Sequence, residues 1–216
     1  MKDKTCYLVG AGEVSPLPPL SQNDLLIAVD GGLHACVAQG GSPSLLVGDL
    51  DSFGDAPLPD LPICRFPVKK DETDTYLAYL EGVKRGYSHF EIYGGLGGRA
   101  DHTIANLQLL RRIAGEGRSA ALVGKDTRML AFSDRAVQLK TKAGQSLGVF
   151  ALSEICEGVS IAGAAYELEN GTLKNDFPLG VSNTALGESV TLSVKKGILL
   201  AVLSDAEALS AAEKNM

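Results

Sequence analysis

The sequence predicts an α/β domain, a parallel sheet with helices on both faces, followed by an all-β sandwich domain. Three observations predict it. Strand-like and helix-like segments alternate from Thr5 to Val123, the pattern of a parallel sheet crossed by helices. Acidic and glycine-rich segments fall where the predicted strands end, the edge at which open α/β sheets bind ligands. After Ser133 the strand candidates become short and closely spaced, separated by Gly144, Gly158, Gly163, Asn170-Gly171, Gly187 and Gly197, with no convincing helix before the polar tail. The expected boundary lies near residue 135, giving domains 1–135 and 136–216.

Taken in order, Thr5–Val9 and Leu25–Val29 read as apolar strands, the second ending at Asp30-Gly31-Gly32. A helix is expected from Leu33 to Gln39, closed by Gly40-Gly41. Leu45-Leu46-Val47 then runs into Gly48-Asp49-Leu50-Asp51-Ser52. A segment with Pro57, Pro59 and Pro62 leads to a strand at Ile63–Pro67. Thr73 or Asp74 can cap the next helix, in which Leu77, Leu80 and Val83 keep a helical rhythm as far as Gly86. Phe90–Tyr93 is a strand ending in Gly94-Gly95-Leu96-Gly97-Gly98. Asp101–Ile113 is a helix with Ile104, Leu107, Leu110 and Ile113 on one stripe, and Ala120–Val123 is a strand. The second half offers Val137–Lys140, Ser146–Leu152, Val159–Ile161, Tyr166–Leu168, Val181, Val190–Val194 and Ile198–Leu203.

The bulk numbers narrow the function classes. Of 216 residues, 45% are hydrophobic and 21% charged, ordinary values for a chain that buries a core. A net charge of −6 argues against a broad surface for nucleic acid or anionic lipid. Cys6, Cys36, Cys64 and Cys156 stand far apart, without C-x-x-C or histidine at metal-ligand spacing, and read as reduced thiols. The apolar run before Gly10 is too short for a signal peptide, and no run approaches the ~18 residues of a membrane span. The expected location is the cytoplasm.

Asp49 and Asp51 are the sharpest chemical signal. At i, i+2 in an extended turn both carboxylates can face one cation while Leu50 points inward, and magnesium takes such hard oxygens together with substrate phosphates. The competing reading is a turn cap beside a solvated acid. Lys70-Asp71-Glu72-Thr73-Asp74 opens a helix; Asp74 can complete the metal shell and Lys70 can neutralise phosphate, although acids there also serve as dipole partners. Gly94–His102 is a strand–glycine loop–helix junction whose backbone can approach an anion, with Arg99 as a forked donor. It lacks the G-K-[ST] ending of a P-loop. Gly10-Ala11-Gly12 lacks a third glycine and is followed by prolines, so it is a weak dinucleotide signal. His34 and His89 read as surface or packing residues, while His102 borders the glycine loop. Together these residues point to metal-assisted phosphoryl chemistry, which works by positioning and charge neutralisation and needs no Ser-His-Asp set.

In their order, Asp30-Gly31-Gly32, Gly48-Asp49-Leu50-Asp51-Ser52, Lys70-Asp71-Glu72-Thr73-Asp74 and Gly95-Leu96-Gly97-Gly98-Arg99-Ala100-Asp101-His102-Thr103-Ile104-Ala105-Asn106 resemble the thiamine pyrophosphokinase family. Gly180-Val181-Ser182-Asn183 and Lys196-Gly197-Ile198-Leu199-Leu200 extend the resemblance toward the C-terminus. It implies an α/β catalytic domain followed by a β-sandwich, a homodimer with active sites at the subunit interface, and magnesium-dependent transfer of pyrophosphate from ATP to the thiamine hydroxyl. By the same resemblance Asp49, Asp51 and Asp74 hold magnesium, and Arg99 and Asp101 join them in catalysis. The ATP-facing set is Asp30, Gly31, Lys70, Asp71, Gly97, Gly98, Arg99 and His102. Asp101, Ser182 and Asn183 meet thiamine, the last two from the other subunit. Leu50 stands where the family often has Phe, and Gly163-Ala164-Ala165-Tyr166-Glu167-Leu168 departs from the family's Gly-Leu-Lys-Tyr/Trp-Pro-Leu. With no Trp in the chain, any aromatic platform is Tyr or Phe. The rival readings are a pyrophosphokinase for a pterin alcohol, a non-catalytic thiamine- or nucleotide-binding regulator, and a metal-dependent phosphatase. The Ser-Asn segment in a β-domain favours thiamine.

Overall fold

Five-residue apolar runs set the first strands. β1 (Thr5–Val9) and β2 (Leu25–Val29) are buried along their whole length, as strands covered on both faces must be. The computed structural model describes residues 4–54 and 59–205. Met1–Asp3, Pro57 and the polar tail at 206–216 lie outside the described residues. Among the described residues no helix is long and apolar enough to cross a membrane.

The chain divides into two compact units, residues 1–109 with 120–125 and residues 110–119 with 126–216. In the first, α1 (Gly32–Ala38) follows β2, and β3 (Leu45–Gly48) runs into a single 3-10 turn at Asp51–Phe53. Then come β4 (Ile63–Arg65), α2 (Asp74–Lys84), β5 (His89–Tyr93), α3 (Ala100–Gly115) and β6 (Ser119–Val123). The strand order is β6-β5-β1-β2-β3-β4, and β5, β1, β2, β3 and β4 pair in parallel.

Residue alternation along β1 places the helices. Tyr7 and Val9 share a core with Leu33 and Cys36 of α1. A Cβ at Gly82 of α2 would meet Cys6 Sγ at 2.9 Å and the Phe90 ring at 2.6 Å. Neighbouring residues of a strand point to opposite faces, so α1 and α2 cover opposite faces of the sheet, as expected. Thr73 caps α2 by accepting the Tyr76 N–H at 3.2 Å. The stripe expected on α3 is corrected at one position. Leu109, Leu110, Ile113 and Ala114 are buried, but Ile104 is exposed; the buried face near the start of the helix carries Asn106 instead, because that amide is needed against the glycine loop.

The second unit is antiparallel throughout. β7 (Thr127–Ser133), β9 (Ser146–Ala151), β12 (Gly180–Thr184) and β14 (Ile198–Ser204) form one set in the order β12-β9-β14-β7. β8 (Ala136–Lys140), β10 (Ile155–Ala162), β11 (Leu168–Lys174) and β13 (Ser189–Ser193) form the other, ordered β11-β10-β13-β8. Inward residues of both sets, among them Phe132, Leu147, Val159, Leu173, Leu192 and Leu199, make one core, the two-layer packing of a sandwich. This unit takes up residues 126–135 as well, on the N-terminal side of the expected boundary, because β7 pairs with β14 along its full length. Gly158 and Asn170-Gly171, expected to separate strands, lie inside β10 and β11. The pairing there shifts register, and Gly158 and Asn170 adopt φ of +65° and +49°, the geometry of bulges rather than chain reversals.

One contact ties α2, and with it Asp74, to the sheet, and one ion-pair cluster steadies the helix's own last turn. Tyr79 meets the Phe90 ring edge-on at 4.9 Å, both side chains fully buried, and Phe90→Ala is expected to cost about 3–5 kcal/mol in urea unfolding followed by circular dichroism. Glu81, buried, accepts Lys84 at 2.6 Å and also pairs with Arg85. These two cations hold its carboxyl below the ordinary value of 4.5. Its contribution is therefore complete above that value and fades as pH falls through the lower folded one. Glu81→Gln is expected to lose about 1–3 kcal/mol at neutral pH and to converge with the parent protein on acidification past the carboxylate range.

Candidate active site

In the order β6-β5-β1-β2-β3-β4 the chain proceeds to one side from β1 and returns to its other side with β5. That reversal is a switch point, where the loops leaving two neighbouring strands part and open a crevice. The loops after β1 and β5 line a cavity of about 510 Å³ there, together with Asp30, Thr73, Asp74 and the start of α3.

Close backbone contact builds the crevice wall. Gly10 N–H donates to Tyr93 O at 2.9 Å and Gly12 N–H to Gly94 O at 3.2 Å. A Cβ on Gly12 would lie 2.4 Å from Gly94 O, and one on Gly94, whose φ is +66°, 2.4 Å from Gly10 O. Only glycine permits this approach. Asn106, buried in α3, donates its amide to Gly95 O at 2.9 Å and fixes the second loop to the helix.

Beside the crevice the acids gather. Asp30, Asp49 and Asp51 each bring one carboxylate oxygen within 4.8 Å of the others. Asp30 (φ +45°) and Leu50 (φ +68°) hold left-handed backbone, a strained choice for residues with a Cβ and one that clusters at functional sites. At Leu50 the twist drops the side chain into the α1 core and leaves Asp49 and Asp51 outside. Ser52 Oγ donates to Asp30 Oδ1 at 3.0 Å, and the Asp51 N–H to Asp49 Oδ1 at 3.3 Å.

Lys70 joins this group to α2. Its Nζ lies 3.0 Å from Asp49 Oδ2, 3.1 Å from Asp74 Oδ1 and 3.2 Å from Pro67 O, on a side chain that is 10% exposed. Burial opposes ionisation of Asp49, but the Lys70 ammonium and the Asp51 amide outweigh it and hold the carboxyl below its usual range. Burial likewise opposes the charge on Lys70 and is overcome by Asp49 and Asp74, so its pKa rises. Asp74 goes the other way. Burial raises its pKa, Lys70 offsets part of this, and the charges of Asp49 and Asp30 add to the rise. Asp74 Oδ1 is buried without an aligned hydrogen-bond donor; the Lys70 charge is beside it, but the geometry is that of an ion pair only. Asp30, Asp49 and Asp51 form a set of hard oxygen donors that suits a divalent cation such as magnesium; Asp74, the third ligand expected, is not within this group and meets it through Lys70.

The remaining expected residues distribute as follows. Gly31 does not line the cavity; a Cβ there would meet Ala11 Cβ at 3.2 Å and Ser52 Oγ at 3.6 Å. Gly97, Gly98, Arg99 and His102 line the cavity. Arg99 is forked onto Asp101, Nε to Oδ1 at 3.1 Å and Nη2 to Oδ2 at 2.6 Å, and this pair pushes the Asp101 carboxyl down to about 2. Asp71 is exposed and does not line the cavity. In the second unit, Ser182 is exposed with φ +60°. Asn183 is buried, and its amide is spent on the Tyr166 main chain and the Thr184 N–H.

Sequence reading passed over Gly10-Ala11-Gly12, Thr73 and Thr75 as parts of the crevice. The first lacks a dinucleotide pattern because its glycines serve contact with another loop, a pairing invisible along the chain. Gly12→Ala is expected to force these loops apart. The variant should stay folded by circular dichroism while amide hydrogen exchange at residues 10–12 quickens at least about tenfold, since the loop contact that protects those amides is lost.

Residues 19–122 match the family described as "Thiamin pyrophosphokinase, catalytic domain", and residues 136–199 match "Thiamin pyrophosphokinase, vitamin B1 binding domain". The chain is 27% identical over 213 residues to thiamine pyrophosphokinase of Bacillus subtilis (strain 168), across 93% of this chain and 99% of that protein. Its fold superposes on the crystal structure of thiamine pyrophosphokinase from Bacillus subtilis with a TM-score of 0.82, at 26% identity, covering 94% of this chain and 99% of the other. The thiamin pyrophosphokinase structure from Geobacillus thermodenitrificans gives 0.81 at 25% identity, with coverage of 94% and 99%. Two consecutive domain matches and likeness to these enzymes over nearly the whole chain agree with a switch-point crevice rimmed by acids: the chain belongs to the thiamin pyrophosphokinase family.

Proposed function

We propose that this enzyme transfers the terminal diphosphoryl group of ATP to the hydroxyl of thiamine, giving thiamine diphosphate and AMP. The observation that carries the reading is the meeting of Asp30, Asp49, Asp51 and Asp74 beside a glycine-walled crevice in a chain matching both thiamin pyrophosphokinase domains. The thiamine oxygen attacks the β-phosphorus, the bond from that phosphorus to the α–β bridging oxygen breaks, AMP leaves and the hydroxyl proton is released.

Asp49, Asp51 and Asp74 would hold magnesium, with Asp30 beside Asp49 and Asp51. Bound there, the ion would supply charge neutralisation on the phosphates, the main demand of phosphoryl-type transfer. Gly97, Gly98 and the amino end of α3 receive phosphate oxygens, with His102 at the same rim. Arg99 offers phosphate the same two-pronged geometry that it now gives Asp101. Lys70 acts beside the phosphates by keeping Asp49 and Asp74 apart and ionised, and Asp71 stays at the exposed edge. Asp101, Ser182 and Asn183 belong to the thiamine side. The protein works in the cytoplasm as a homodimer in which the second unit of one subunit serves the crevice of the other. Exposed Phe177, Leu179, Val181 and Leu186 on the second unit support an apolar subunit contact.

Chromatography of a reaction with ATP, magnesium and thiamine should show equimolar thiamine diphosphate and AMP, and a pterin alcohol in place of thiamine should give no AMP. Release of inorganic phosphate without thiamine would instead identify a phosphatase. Asp49→Asn and Asp51→Asn should each lower kcat at least about a hundredfold with an unchanged circular dichroism spectrum, since ligand charge is lost while shape is kept. Near-parent turnover in both variants would remove the metal assignment.

A further inference from the structure

The turn that carries Asp51 is too short to hold itself. Asp51–Phe53 is a single 3-10 turn closed by two main-chain bonds, Phe53 N–H to Leu50 O at 3.2 Å and Gly54 N–H to Asp51 O at 3.3 Å. Hydrogen bonds are poorly aligned in so tight a helix. Leu50 ahead of it is left-handed, and Gly54 after it takes φ +51°. Asp30, Asp49 and Asp51, with carboxylate oxygens within 4.8 Å of one another, repel across the same space.

Support for the turn comes from α1. Leu50 and Phe53 sink into one core with Leu33 and Cys36, and Phe53 is only 8% exposed. His34 is exposed, yet its ring centre lies 5.5 Å from that of Phe53, with the planes at 30°, inside the range in which aromatic pairs attract. The exposed side of α1 therefore adds a contact to the same ring with which its buried side shares a core. His34 stands in the first turn of α1, its N–H donating to Gly31 O at 3.2 Å, four residues beyond Asp30, and Asp51 lies two residues before Phe53. The His34–Phe53 pair thus joins the segment that carries Asp30 to the turn that carries Asp51. Ser52, inside that turn, donates to Asp30 Oδ1 at 3.0 Å.

We propose that His34 is a positioning residue for the acid cluster: by stacking on Phe53 it fixes the Asp51–Phe53 turn against α1 and so sets the spacing of Asp51 from Asp30. This rests on the reading above that Asp49 and Asp51 hold magnesium. That ion demands near-ideal ligand geometry, and ligands already in place spare the cost of ordering them on binding. The stack needs only a ring. A phenyl group in place of the imidazole keeps it, whereas a methyl group leaves the Phe53 ring uncovered and the turn free to tilt.

Hydrogen exchange in the full chain, read without any ligand, tests the docking of the turn. His34→Ala should speed exchange of the Phe53 and Gly54 amides about fivefold while β1, β2 and β3 stay protected, and His34→Phe should remain within about twofold of the parent. Mn²⁺ binding followed by electron paramagnetic resonance reads the acids: His34→Ala should weaken it about fivefold and His34→Phe should restore it. In turnover, His34→Ala should raise the magnesium concentration for half-maximal rate by a like factor, with kcat at saturating magnesium and the thiamine KM near parent values. Once Phe53 is changed to leucine, His34→Ala should add less than about twofold to either effect. Parent exchange at Phe53 and Gly54 in His34→Ala, or no rescue by His34→Phe, would overturn the proposal. Failure of the parent protein to bind Mn²⁺ would strike the metal reading, whereas parent binding unmoved by His34→Ala would strike this proposal alone.

Discussion

Gly12 N–H and Gly94 O meet at 3.2 Å between the loops that leave β1 and β5, and the crevice takes its form from that contact. Two main chains can run this close only if neither carries a Cβ at the point of approach. Because the contact is backbone to backbone, it fixes the loops relative to one another without spending any side chain. The crevice is then free to present Asp30, Asp74, Arg99 and His102. Asn106 extends the same logic to α3, tying the helix to the glycine loop through Gly95 O.

The acids depend on a second constraint, electrostatic rather than steric. Carboxylates from the ends of β2 and β3 and from the start of α2 would repel if left alone. Lys70 answers part of this charge from a mostly buried position between Asp49 and Asp74. The environment then separates their behaviour, with Asp49 held below and Asp74 pushed above the ordinary carboxyl range. What remains is excess negative charge at one edge, supported by the strained backbone at Asp30 and Leu50. Concentrating like charge in this way costs stability, and the left-handed backbone at Asp30 and Leu50 adds to that cost.

The second unit solves a different problem. A sandwich must expose one face of each layer, and here part of that surface is apolar, around Tyr166, Phe177, Leu179 and Val181. The bulge at Ser182 converts a motif that looks like an exposed turn pair into an inward-facing amide that braces an aromatic residue. The absence of tryptophan therefore does not remove the aromatic element of this surface. Tyr166 supplies that element, on a main chain held by Asn183.

The sequence by itself determined the two fold classes, the helices starting at Gly32, Asp74 and Ala100 to within a residue or so, and the acids and glycines at the strand ends. These are properties of local periodicity, capping and composition, which act over a few residues and so can be read along the chain. Only the tertiary structure decided that β1 lies beside β5, and hence that Gly10-Ala11-Gly12 faces Gly94–Gly98. It also decided that Asp30 joins Asp49 and Asp51, that Lys70 sits between two acids, that Ile104 faces outward, that β7 pairs with β14, and that Asn183 grips Tyr166. Each of these depends on strand order, or on a left-handed or bulged backbone that turns a side chain from one face to another. Such choices are set by contacts between segments distant in sequence, for which no local signal exists.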